Sequence, residues 1–178
     1  MFALALIVVV FGASAVTKLR SPGSYRSYVA GLAESQLVTG RALTVTAAAL
    51  AVGEALVAVG ATAAAALVAA APPAPASLPA IALGAAAILT AVLTAGVAVV
   101  LRRGTRARCA CFGSSASRPL GPPHLVRNAA MLAVAIIGLA ATVAGTTDSS
   151  AGASVVALTG GGIIGLVAIH LDDLVDLF

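Results

Sequence analysis

In 178 residues the chain carries 61% hydrophobic and only 9% charged residues, with a formal net charge of +4 and a mean hydropathy of +1.11. A soluble domain holds roughly 25% charged and 45–50% apolar residues, so a water-exposed globule is excluded. The excess positive charge flanks hydrophobic stretches, which makes it a topology signal and gives no reason to expect a nucleic-acid partner.

A membrane-spanning helix needs about 20 predominantly apolar residues. Five stretches qualify, at about 2–17, 42–71, 80–101, 129–146 and 151–170. The expected fold is an all-α integral membrane bundle of four to five transmembrane helices in one domain, 1–178. Ala13-Ser14-Ala15 in the first stretch mimics a signal-peptidase site, yet nothing charged precedes the apolar core, and Lys18 and Arg20 follow it. That charge order is opposite to a secretory signal and suits a retained helix with its amino terminus outside. Ser21-Pro22 then reads as a helix start. Behind it Tyr25, Tyr28, Val29 and Leu32 recur at helical spacing, which describes a short amphipathic helix lying in the interface and anchored by its tyrosines.

Glu54 stands alone in the second apolar stretch, 13 positions after Arg41. At 1.5 Å per residue that is about 20 Å along a helix, deep enough that an ionisable group marks either function or a specific partner. Two readings follow: a proton-relay or quinone-side group, or a lock to another helix through Lys18, Thr17 or Thr90. The prolines of 72–79 make a short hairpin to the third stretch. All ten basic residues fall into two segments: Lys18, Arg20, Arg26 and Arg41, then Arg102, Arg103, Arg106, Arg108, Arg118 and Arg127. Alternating threading puts both on one side, and the positive-inside rule makes that side cytoplasmic.

The second basic segment holds the only two cysteines, in Cys109-Ala110-Cys111-Phe112-Gly113. Neighbouring cations lower a thiol's pKa and favour the reactive thiolate. A disulfide between positions i and i+2 closes a strained ring, easily reduced, and its loop is too short to staple the fold. Thiol–disulfide exchange is therefore the leading reading, with Cys109 and Cys111 as the catalytic pair. Metal binding by the pair with His124, inert packing and lipidation of a juxtamembrane thiol stand beside it. His124, after Pro122-Pro123, reads as a solvated loop residue, Arg127 as an interface anchor and Asn128 as the cap of the fourth span. Gly160, Gly161, Gly162 and Gly165 weaken the fifth stretch as a helix, although Gly161-xxx-Gly165 is a close-packing spacing. His170, Asp172, Asp173 and Asp176 read as a polar cytoplasmic terminus.

Cys109-Ala110-Cys111-Phe112-Gly113 followed by Arg127-Asn128 at the head of the next helix resembles the methylamine utilisation protein MauE family, which is related to DoxX-like membrane proteins. Ser14-Ala15-Val16-Thr17-Lys18-Leu19 before Arg20-Ser21-Pro22, and Gly53-Glu54-Ala55-Leu56 inside the second span, fit the same resemblance, which covers roughly residues 1–147. It implies a small multispanning bundle that supports disulfide formation during maturation of methylamine dehydrogenase, with Phe112, Gly113, Arg127, Asn128 and Glu54 supporting the cysteines. A thioredoxin-like protein is the expected soluble partner, and lipid surrounds the chain. No nucleotide, flavin or haem motif is present, so no organic cofactor is identifiable and a membrane quinone is the remaining electron acceptor. The alternatives are a non-catalytic membrane subunit that scaffolds a redox enzyme, and a metal-binding membrane protein.

Overall fold

Runs of Ala, Val, Leu and Gly broken only by short polar segments fold as helices, which satisfy every backbone polar group internally, as a bilayer requires. The computed structural model describes residues 1–70, 75–104, 120–145 and 151–175, with backbone alone for 151 and 171–175. The described residues form six helices: α1 (Phe2–Leu19), α2 (Pro22–Glu34), α3 (Gly40–Ala70), α4 (Ser77–Arg102), α5 (Pro122–Val143) and α6 (Ala151–Val175). All but α2 are long and apolar enough to cross a membrane, so the five expected spans are all present as helices. Val59, Ile88, Ile137, Val143 and Val156 point outward, as lipid contact demands.

The central helix is α1. Leu4, Ile7, Val10 and Phe11 are buried against Val57, Ala61 and Ala64 of α3, Ala82, Leu83 and Ala86 of α4, and Met131 and Ala135 of α5. Helix α6 seats on the remaining side of α1 and runs parallel to it, with Gly161 beside Phe2 and Ala5 and Gly165 beside Leu6 and Val9. The glycines that weaken this stretch on helix propensity are what lets the two backbones meet, so tertiary packing overrides the propensity. The helix continues to Val175, so that His170, Asp172 and Asp173 of the expected polar terminus belong to α6; Asp176 lies outside the described residues.

Helix α2 starts as its sequence indicates: Ser21 Oγ accepts the Ser24 N–H at 3.1 Å and Pro22 occupies the first turn. Replacing Ser21 by Ala is expected to destabilise the protein by about 1 kcal/mol through loss of that cap, seen as a lower midpoint of thermal unfolding in detergent. Of the two tyrosines, Tyr28 turns inward and Tyr25 stays half-buried. Tyr28 is buried and packs with Tyr25, Val29 and Leu32 on Ala47 and Ala51 of α3. Small side chains on α3 leave room for an aromatic ring, so the apolar face of α2 turns to protein instead of lipid.

Helix α5 opens seven residues before the expected position. Pro122 and Pro123 fill its first turn, where a missing N–H costs nothing, and the His124 ring turns back so that its Nδ1 accepts the Gly121 N–H at 3.3 Å. His124 is thus a capping residue of the first turn rather than a solvated loop residue. Asn128, expected as the cap, sits a turn further along. At the neighbouring end, α4 stops at Arg102, and Gly104 takes a positive φ of 65° that lets its N–H reach the Leu101 carbonyl.

Candidate functional site

Lys18 and Glu54 form a buried ion pair between the carboxyl end of α1 and the middle of α3. Lys18 Nζ donates to Glu54 Oε1 and Oε2, each at 2.6 Å, with only 1% and 2% of the two side chains exposed. Ser14, one turn before Lys18, bridges them: its Oγ accepts from Lys18 Nζ and donates to Glu54 Oε2, both at 3.0 Å. The fourth side of the ammonium is closed by the Tyr28 ring, whose centroid is 4.6 Å from Nζ, a distance at which the ring face attracts the cation. Burial, and secondly the charge of Glu54, push the Tyr28 phenol above its usual value, so it stays neutral beneath α3. Three helices therefore supply one charge cluster, and Lys18 is the partner among those considered for Glu54 that the fold selects.

The cluster also fixes how α3 lies against α1. Helix α3 has 31 residues against 18 in α1; at 1.5 Å each it is about 46 Å long, more than the ~30 Å hydrocarbon layer. The Glu54 carboxylate meets Ser14 and Lys18, in the last two turns of α1, so the start of α3 continues past the end of α1 on the arginine-rich side.

On its far side Glu54 lines a cavity of about 70 Å³ between α1, α3, α4 and α5. Val10, Phe11, Leu93, Val97 and Met131 supply apolar wall; Ser14, Thr90, His124, Arg127 and Asn128 supply polar groups. Leu120, the first described residue after the cysteine segment, closes one end. Arg127 is buried, not snorkelling at the interface: it is 6% exposed and stands in the cavity wall next to Asn128. The structure thus brings Glu54, Arg127 and Asn128 around one space. Cys109, Cys111, Phe112 and Gly113 lie outside the described residues, on the segment that joins Gly104 to Leu120. Among the described residues no cluster of metal-ligating side chains occurs.

In the sequence Lys18 is a topology charge and one of three possible partners for Glu54, while Ser14, Tyr28 and His124 are legible as part of a cleavage-site mimic, an interface anchor and a loop residue or metal ligand. One sequence signal does find the first two. Leu4, Ile7, Phe11, Ser14 and Lys18 follow one another at spacings of three and four, a single helical face, and all five are buried. A polar residue that continues the core stripe needs a partner inside the bundle.

A model of the family described as methylamine utilisation protein MauE matches residues 1–141. The chain belongs to the MauE family. It is a multi-pass membrane protein of that family, and the match takes in α1 to α4 and all of α5 but Thr142 and Val143, including every residue of the charge cluster and the cavity. Helix α6 lies beyond the matched residues. No curated protein and no solved structure matches the chain.

Proposed function

We propose that this MauE-family protein carries out or supports thiol–disulfide exchange at the membrane surface, with Cys109 and Cys111 as the pair that cycles. One observation carries the reading: both of the chain's cysteines occupy the segment between Gly104 and Leu120, and Leu120 and the first turns of α5 form part of the wall of the cavity that Glu54 also lines. In the oxidising direction, a thiolate of the pair attacks a disulfide of a thioredoxin-like partner. A mixed disulfide forms, and the second thiolate then displaces the partner's thiol. The partner leaves as a dithiol with the two electrons, and Cys109–Cys111 is left as the disulfide. A membrane quinone is the alternative acceptor, and it would meet the segment from the bilayer, since the cavity is far below the roughly 300–1,000 Å³ of ordinary ligand pockets.

The arginines support a cytoplasmic side for this chemistry, with the amino terminus outside. Arg20, Arg26, Arg41, Arg102 and Arg103 belong to the end of α1, to α2, to the start of α3 and to the end of α4, and the positive-inside rule retains that end. Family membership supports the maturation of a methylamine-oxidising enzyme as the purpose served. Maleimide trapping of the full-length protein in membrane vesicles tests the proposal: two thiols are expected to be modified after reduction and none after oxidation, and a membrane-impermeant maleimide is expected to react only in inside-out vesicles. Thiols that stay reduced under every oxidant, or a Cys109→Ser/Cys111→Ser chain that fully complements a deletion, would leave a scaffolding subunit as the better description.

A further inference from the structure

A lock between α1 and α3 would be best sealed by apolar side chains, as Ile7 and Val57 seal the other part of that seam. Glu54 is instead left facing a cavity whose polar side chains come from α1 (Ser14), α4 (Thr90) and α5 (His124, Arg127, Asn128). Thr90 is the telling member. Thr94, one turn on, donates its hydroxyl to the Thr90 carbonyl at 2.6 Å, the usual way a helix buries a threonine. Thr90 is 3% exposed, and among the described residues its own hydroxyl makes no hydrogen bond; nor does the side-chain amide of Asn128. Water occupies a cavity where each molecule has roughly 10–15 Å³ and two or more polar partners; most of this wall is apolar, and within its about 70 Å³ the partners come from Ser14, Glu54, Thr90, His124, Arg127 and Asn128.

From this geometry we infer that the cavity is hydrated and that the Lys18–Glu54 pair is a proton-exchange site, reached by water from the Leu120–His124 end of the bundle. A proton delivered by cavity water binds Glu54 Oε2, on the Ser14 side of the pair. Lys18 then holds its charge against the Tyr28 ring and the Ser14 hydroxyl, and return of the proton to water restores the ion pair. Only O–H and N–H bonds change, and no electrons move. The charged and titratable groups facing the pair are Tyr28 from α2 and His124 and Arg127 from α5; α4 contributes the neutral Thr90. The use of such a site rests on the thiol–disulfide reading above, because a thiol of the pair gives up its proton before it attacks and the partner's sulfur takes one up as it leaves.

Lys18 is the only lysine of the chain, so lysine labelled with nitrogen-15 gives one side-chain signal. In the full-length protein in lipid nanodiscs, the Lys18 Nζ protons are expected to exchange with deuterated water within minutes, while backbone amides at the middle of α3 stay protected. Thr90→Val and Asn128→Leu, which dry and fill the cavity, should each slow that exchange by at least about tenfold. Protection of Lys18 Nζ equal to that of the α3 amides overturns the inference in the unmodified chain alone. Fast exchange that neither substitution slows overturns it as well, since water would then enter by another route. The same measurement in a Cys109→Ser/Cys111→Ser chain keeps the two ideas apart: unchanged exchange there, with no thiol cycling in the maleimide assay, leaves the proton site standing and removes only the thiol reading.

Discussion

Lys18→Met is expected to destabilise the folded bundle by about 3–5 kcal/mol, because removing one member of a buried ion pair strands the other's charge in a medium that cannot solvate it. Glu54 has just 2% of its surface exposed, and without Lys18 its carboxylate keeps, among the described residues, only the Ser14 hydroxyl as a donor. The double change Lys18→Met/Glu54→Leu should recover most of the loss, since apolar groups of similar volume often replace a buried pair at little cost. Unfolding in detergent, followed by far-ultraviolet circular dichroism, measures all three proteins. A double variant as unstable as Lys18→Met would mean that packing around the aliphatic stems, and not the charges, holds the seam. Glu54→Gln adds the functional arm: normal turnover per folded molecule at reduced abundance would confine Glu54 to a structural role.

The second large effect belongs to the α1–α6 seam. A methyl group at Gly161 would overlap the Phe2 carbonyl oxygen and stand 3.1 Å from Ala5 Cβ, and one at Gly165 would stand 3.0 Å from Val9 Cβ. Backbone cannot yield as a flexible side chain does, so Gly161→Ala should force α6 away from α1 and destabilise the protein by about 1–3 kcal/mol, the usual range for overpacking. Gly162, the next residue, has nothing within 4 Å of the same construction. Gly162→Ala is therefore expected to be neutral or to stabilise by up to about 1 kcal/mol through helix propensity. Thermal unfolding of the pair of variants decides the matter; equal midpoints would show that the two helices do not meet as described. The Gly161-xxx-Gly165 spacing thus serves a contact within one chain.

The sequence by itself determined the helical class, the five spans and their approximate limits, the helix start at Ser21-Pro22 and the family, because each depends on local composition or on residues close together in the chain. Hydropathy over some 20 residues is enough to specify a span, and a proline after a capping serine is enough to start a helix. It also singled out Glu54, since a lone carboxylate in an apolar run is costly wherever it lands. Tertiary structure alone decided what Glu54 meets. Lys18 is 36 positions away; the sequence offered it beside Thr17 and Thr90, and only laying α1 against α3 selects it. The same holds for Tyr28, whose ring turns to protein only because Ala47 and Ala51 make room, for Arg127, drawn into a cavity wall that four helices enclose, and for the glycines of α6, whose helix is stabilised by a neighbour more than a hundred residues earlier in the chain. Spans are legible because the bilayer acts on each segment separately; the charge cluster and its cavity are not, because their energies exist only between segments.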